Sequence, residues 1–169
     1  MNPPDVSNVR IECASAASLD LILHRHHQAI APNLAPYVDD DTSWAMRRQF
    51  YAEFLSHNGS FLFLAYVGED LVGYTLVLLR ATSTMWNDTW VTGDRTAELE
   101  TLVVAPEQRG KGIGTLLLDQ LESELDRLGI TDIIIGSLPS NTKTLDMYRR
   151  RGFEPTWLVM TRFARRGKT

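Results

Sequence analysis

Arg109-Gly110-Lys111-Gly112-Ile113-Gly114 is the stretch on which the fold turns, because it joins a strand-like segment to a helix-like one through glycines. Before it, Ala97 to Val104 reads as a strand. After it, Ile113 to Leu128 places apolar residues at 113, 117, 121, 125 and 128 and stops at Gly129. Glycines let a chain turn sharply and approach a ligand without Cβ obstruction, so successive N–H groups and the helix start can converge on an anion. The turn reads as a phosphate cradle with Arg109 and Lys111 at its rim. A P-loop needs Gly, four residues, then Gly-Lys-Ser/Thr, but Gly112 is followed by Ile113 and Gly114. A dinucleotide fingerprint needs a glycine where Thr115 stands.

Outward from this turn, Thr131 to Gly136 is expected to be a buried β-branched strand, Asn141 to cap a helix through about Arg151, and Trp157 to Phe163 to form a last strand. Upstream, Val9 to Cys13 alternates as a half-buried strand does. Leu19, Ile22, Leu23, His26 and Ile30 recur at helical spacing until Pro32 and Pro36. The acidic turn Asp39-Asp40-Asp41 opens a second helix, Thr42 to about His57, with Met46, Phe50 and Phe54 on one face and Trp44 and Tyr51 on another. Asn58-Gly59 ends that helix. Phe61 to Val67 and Leu71 to Leu79 read as a hairpin across Gly68-Glu69-Asp70, and Arg80 to Arg95 as a long loop holding Trp86 and Trp90.

At 169 residues and 44% hydrophobic, the chain has the size of one domain with one core. The expected division is a flexible leader over 1–8, a single domain over 9–164 and a basic tail over 165–169. Net charge is −4, so no global basic field attracts nucleic acid or an anionic membrane. The average hides an asymmetry: residues 1–140 carry 9 Lys/Arg against 19 Asp/Glu, a net −10, while residues 141–169 carry 8 against 2, a net +6. That split suggests an anionic ligand near the C-terminal part and a cationic one elsewhere, although runs such as Arg149-Arg150-Arg151 also suit a solvated helix face. The single Cys13 excludes an internal disulfide, and the longest apolar run, Phe61 to Val67, is too short to span a bilayer. With a polar leader unlike a secretory signal, the chain reads as soluble and cytoplasmic.

The spacing Arg109, two residues, Gly112, one residue, Gly114 resembles the signature of the GCN5-related N-acetyltransferase family, which is Arg or Gln, two residues, Gly, one residue, Gly or Ala. Leu102 to Gln108 resembles that family's fourth strand and its exit, and Asn141, Tyr148 and Gly152-Phe153 match its second conserved region. The resemblance implies an α/β (α+β) fold: a mixed, mostly antiparallel sheet of about six or seven strands flanked by about four helices. It implies acetyl-CoA as co-substrate, with the pantetheine on main-chain groups of Leu102, Val103 and Val104. The pyrophosphate would lie over Arg109, Gly110, Lys111, Gly112, Ile113, Gly114 and Thr115. Asn141 would hold the pantetheine from the other side; as a plain N-cap it has an equally good reason to be there. Dimerisation through an exposed strand is common in the family.

Acetyl transfer to an amine needs a neutral nitrogen, so a base or water relay must remove a proton from an ammonium. Glu98 and Glu100 lie two apart, so a regular strand sends both to one face, opposite Leu99, Thr101 and Val103. Glu98 matches the register of the base in the family's histone-acetylating members, and Glu100 lies nearer the thioester end; both also suit a solvated face or ion pairs. The resemblance assigns oxyanion stabilisation to a backbone N–H around Val104, and to Tyr148 the donor for the departing thiolate. His24, His26 and His27 lack an acidic or thiol partner at metal-ligand spacing, so no metal is expected. Trp44, Tyr51, Trp86 and Trp90 suit either core or the walls around an acceptor amine. The expected activity is acetyl transfer to a primary amine of a small molecule by direct attack in a ternary complex. Protein N-terminal or lysine acetylation and a non-catalytic acyl-CoA sensor are the alternatives.

Overall fold

Two apolar, β-branched and aromatic runs form the centre of the sheet: Phe61–Val67 (β2) and Asp70–Ala81 (β3), separated only by Gly68 and Glu69. The computed structural model describes residues 6–30, 41–57, 59–82 and 90–160. Three more strands, Val9–Ala14 (β1), Arg95–Val104 (β4) and Asp132–Ile135 (β5), complete a sheet of order β1-β2-β3-β4-β5. The first three pairings are antiparallel and β4–β5 is parallel. Parallel strands need a crossover. Here it is the helix Ile113–Leu128 (α3).

The faces of the sheet are covered differently. Leu19 and Ile22 of the helix Leu19–Ile30 (α1) and Trp44 and Tyr51 of the helix Asp41–His57 (α2) pack with Leu62, Leu64, Tyr74, Leu76, Leu78 and Val103. On the opposite face Ile113, Leu117, Leu118, Leu121 and Leu125 of α3 are buried. Gly73 lets β3 lie close to both β4 and α3, since a Cβ there would meet the Val103 carbonyl oxygen of β4 at 2.7 Å and Leu117 of α3 at 3.4 Å. The chain divides into two compact units, Met1–Ile135 and Gly136–Thr169. The second contains the helix Thr142–Arg150 (α4).

Element order and most boundaries follow the periodicity of the sequence; three details differ. The described residues form five strands rather than six or seven: Trp157 to Met160 belong to none and are 62–87% exposed, and 161–163 of the expected last strand lie outside the described residues. The strand expected to be buried, β5, stands at the edge of the described sheet with Ile134 38% exposed. Most consequential is a β-bulge in β4. Leu76 opposes Thr101 and Val77 opposes Leu99, leaving Glu100 as the extra residue. A one-residue slip inverts every later side chain. Thr101, opposite Leu76, and Val103, in the same core cluster as Leu76, therefore share the α1/α2 face with Glu98 instead of opposing it.

Candidate functional site

After β4 the chain makes a short 3-10 turn over Pro106–Gln108 and enters α3 through Gly110 and Gly112, whose φ angles are +77° and +86°. Residues with a Cβ are strained in this left-handed region, so the path into the helix depends on these two glycines. Gly112 is the N-cap and offers no side-chain cap, so the first-turn N–H groups of Ile113 and Gly114 are presented outward. Gly114 is different: a Cβ there would meet Val104 at an ordinary 3.7 Å. Arg109 and Lys111 brace the turn as well as charging it. Arg109 Nε donates to the Val104 carbonyl at 3.1 Å, and Lys111 Nζ to Gln108 Oε1 at 2.8 Å. The nearby Glu107 carboxyl is held below its usual range, first by its own backbone N–H and further by Arg25, 3.2 Å away. This cradle suits the pyrophosphate of a nucleotide such as CoA.

The neighbouring strand supplies a second open surface. β5 pairs with β4 only from Thr96 to Leu99, so from Glu100 onward β4 has no described strand on that side. Ala105 N–H donates to Val72 O at 2.8 Å. Counting back by two along the antiparallel ladder, Val103 and Thr101 make their main-chain bonds to β3, whereas Leu102 and Val104 turn theirs away from it. The Arg109 bond to Val104 O agrees. Of the three β4 residues expected to present main chain, Leu102 and Val104 thus face the open side, and Val103 instead contributes its side chain to the core.

Glu98 and Glu100 both face α2, where each meets an arginine. Arg80 Nε lies 2.7 Å from Glu98 Oε2, and its guanidinium stacks over Phe54 and Phe50 at 4.7 and 5.8 Å. Tyr51 donates to Glu100 Oε1 at 3.0 Å and accepts from Arg47 Nη1 at 3.2 Å; Arg47 and Glu100 are 3.9 Å apart. Met46, Arg47, Phe50, Tyr51 and Glu100 line an open groove of 340 Å3. Arg47 and Arg80 were not anticipated. Arg47 stands one helical turn before Tyr51, a spacing that was readable, whereas placing Arg80 beside Glu98 required the sheet register. Of the other aromatic candidates, Trp44 is buried, Trp90 is 37% exposed, and Trp86 lies outside the described residues, as do the side chains of His24, His26 and His27.

Burial pushes the Tyr51 phenol far above its usual range, helped by the Glu100 charge, and pushes Tyr148 up to about 12. A phenol whose pKa is raised on folding stabilises the protein below the unfolded value near 10, and that contribution is lost as pH climbs through the folded value. The denaturation midpoint should therefore fall as pH rises past about 10, and less steeply in Tyr51→Phe. An equal fall in both proteins would contradict this.

In the second unit, Asn141 occupies the N-cap of α4, but its side chain makes no capping bond and is exposed, leaving its amide available to a ligand. The Tyr148, Gly152, Phe153 spacing has a local physical cause. Phe153 N–H bonds to Tyr148 O at 3.2 Å, Gly152 N–H to Arg149 O at 3.0 Å, Gly152 has φ +86°, and the Tyr148 and Phe153 rings stand 5.7 Å apart. These are the bonds and the apolar contact of a Schellman helix end. They hold Tyr148 on the last full turn of α4.

The sequence model of the Acetyltransferase (GNAT) family matches residues 23–153. The chain belongs to the GNAT acetyltransferase family. Its class of activity is acetyl-CoA-dependent N-acetylation, and the family match runs through the cradle, the open side of β4 and the Tyr148 motif. No curated protein sequence matches this GNAT chain. Among solved structures it is similar to a predicted acetyltransferase with acetyl-CoA from Clostridium acetobutylicum, at 19% identity and TM-score 0.71, covering 90% of this chain and 96% of that one. It is also similar to the aminoglycoside antibiotic 6'-N-acetyltransferase AAC(6')-IG from Acinetobacter haemolyticus, at 21% identity and TM-score 0.68 over 94% and 99% of the two chains. A third is AAC(6')-Iy in complex with the bisubstrate analog CoA-S-monomethyl-acetylneamine, at 17% identity and TM-score 0.70 over 93% and 98%. At these identities the likeness is one of fold. Among the described residues no group of three His, Cys, Asp or Glu converges as a metal site, and no helix is long and apolar enough to cross a membrane.

Proposed function

We propose that this GNAT domain, residues 9–164, acetylates a primary amine of a small molecule by direct attack in a ternary complex. One observation carries the reading: the groove's carboxylate, Glu100, lies immediately past the last β4–β5 pair, on the strand whose next outward main-chain groups are Leu102 and Val104. Glu100 and Leu102 are two residues apart across the bulge, so the carboxylate lies close along β4 to the outward main-chain groups. Bound acetyl-CoA supplies an activated thioester, and the net change exchanges its C–S bond for an amide C–N bond while one proton passes from the amine to the thiol.

The chain's own groups divide the remaining work. The uncapped start of α3, with Arg109 and Lys111, holds the pyrophosphate. The Leu102 and Val104 N–H groups are donors for that arm and for the carbonyl oxygen as it gains charge. Glu100 takes the ammonium proton, because Glu98 is committed to Arg80 at 2.7 Å. Glu100→Gln is therefore expected to lower kcat/KM about ten-fold more than Glu98→Gln and to displace the acidic limb of the pH–rate profile. Equal losses, or an unmoved limb, would assign the proton to a water relay.

The openness of the groove favours a second reading, a protein N-terminus or lysine as acceptor. Thiol release from acetyl-CoA across matched panels of small amines and peptides separates the two. Turnover confined to peptides would overturn the small-molecule assignment, and acetyl-CoA binding with no turnover on either panel would indicate a sensor.

A further inference from the structure

Neither carboxylate on the acceptor face stands alone. Glu98 is paired with Arg80, which is fixed by stacking over Phe54 and Phe50. Glu100 shares its surroundings with Arg47, 3.9 Å away, and the buried Tyr51 hydroxyl joins the two by accepting from Arg47 at 3.2 Å and donating to Glu100 at 3.0 Å. Among the described residues this groove therefore pairs one carboxylate with one guanidinium, a dipole joined through Tyr51. A polycation entering it finds one carboxylate already shared with a guanidinium, and a second cation is repelled by Arg47. Met46, 66% exposed, and Phe50, 39% exposed, add an apolar wall beside the dipole.

We propose that the acceptor is zwitterionic: a primary amine with a carboxylate close to its nitrogen and an apolar substituent, as in an apolar α-amino acid. Laid head to tail against the protein dipole, its ammonium meets Glu100 and its carboxylate meets Arg47, whose planar fork suits a carboxylate. The substituent covers Met46 and Phe50. Tyr51 is a positioning residue that keeps the two charges apart and aimed. This rests on the small-molecule acetyltransferase reading and narrows its substrate class away from the aminoglycosides named for two of the similar structures.

Matched pairs provide the test: leucine against isopentylamine and phenylalanine against phenethylamine, with neamine as a polycation, each followed by thiol release from acetyl-CoA. The amino acids are expected to exceed their decarboxylated partners in kcat/KM by about ten-fold, the loss of one charge-assisted contact. That ratio should fall towards one in Arg47→Gln and partly recover in Arg47→Lys. Equal or better turnover of the decarboxylated amines or of neamine by the unaltered enzyme overturns the zwitterion assignment while leaving the acetyltransferase reading intact. An unchanged ratio in Arg47→Gln removes Arg47 from it. If calorimetry shows acetyl-CoA bound but no amine is turned over, the small-molecule reading fails, and the zwitterionic acceptor fails with it.

Discussion

Tyr148→Phe is expected to lower kcat about a hundred-fold while acetyl-CoA affinity, measured by calorimetry, stays within about two-fold. The substitution removes one hydroxyl and keeps everything else that fixes the position. The ring remains to pack on Phe153, 5.7 Å away, and the helix-ending bonds use only main chain. With its pKa pushed up to about 12 by burial, the phenol stays protonated through the range in which amines are acylated. It is also a weaker acid than an ordinary thiol by roughly three units, so full proton transfer to the leaving sulfur is uphill. We propose that its role is a hydrogen bond to developing negative charge, strongest in the transition state. A melting temperature unchanged from the parent would separate this loss from misfolding; an unchanged kcat would remove Tyr148 from the reaction.

Gly73→Ala should be the most damaging single methyl group in the sheet. The added Cβ would stand 2.7 Å from the Val103 carbonyl oxygen, a main-chain atom that moves only if β4 moves, with Leu117 and Ile113 behind it at 3.4 and 3.6 Å. Overpacking of this kind costs about 1–3 kcal/mol. In a domain of this size that lowers Tm by roughly 2–10 °C. The displacement falls on Val103 and Val104, so acetyl-CoA affinity should weaken by about ten-fold as the outward Leu102 and Val104 groups lose alignment. Gly114→Ala is the companion: its Cβ would meet Val104 at 3.7 Å, and replacing glycine inside the first helical turn should be neutral or stabilising by about 0.5 kcal/mol. Equal destabilisation by the two substitutions would show that the close approach at Gly73 is not what limits the sheet.

The contrast between these glycines marks where sequence reading succeeds and where it stops. Hydrophobic periods placed β1, α1 and α3, because those periods report which face of each element is buried, while continuous apolar runs placed β2 and β3 and the Asn141 cap placed α4. The glycine-rich turn was legible as a local backbone requirement, whereas the Tyr148, Gly152, Phe153 spacing was legible only through its resemblance to the family's second conserved region. The bulge at Glu100 was not. Nothing in Glu98-Leu99-Glu100-Thr101 distinguishes a regular strand from one with an extra residue, since the slip is set by pairing with Leu76 and Val77. That slip moved Thr101 and Val103 to the other face. The arginine partners of Glu98 and Glu100 were hidden similarly, because both pairs join different elements. Trp157 to Met160 is apolar throughout, which reads as a strand, yet these residues belong to none of the described strands.

Direct acetyl transfer is tested most plainly by stoichiometry: the enzyme is incubated with acetyl-CoA and the small-amine panel, and free thiol is compared with N-acetyl product by mass spectrometry. Transfer through Glu100 and the open side of β4 predicts one thiol for each amide formed, with no release above the enzyme-free rate when the amine is omitted. Acetyl-CoA bound at the cradle but yielding thiol without amide, or no thiol with any amine, would contradict it.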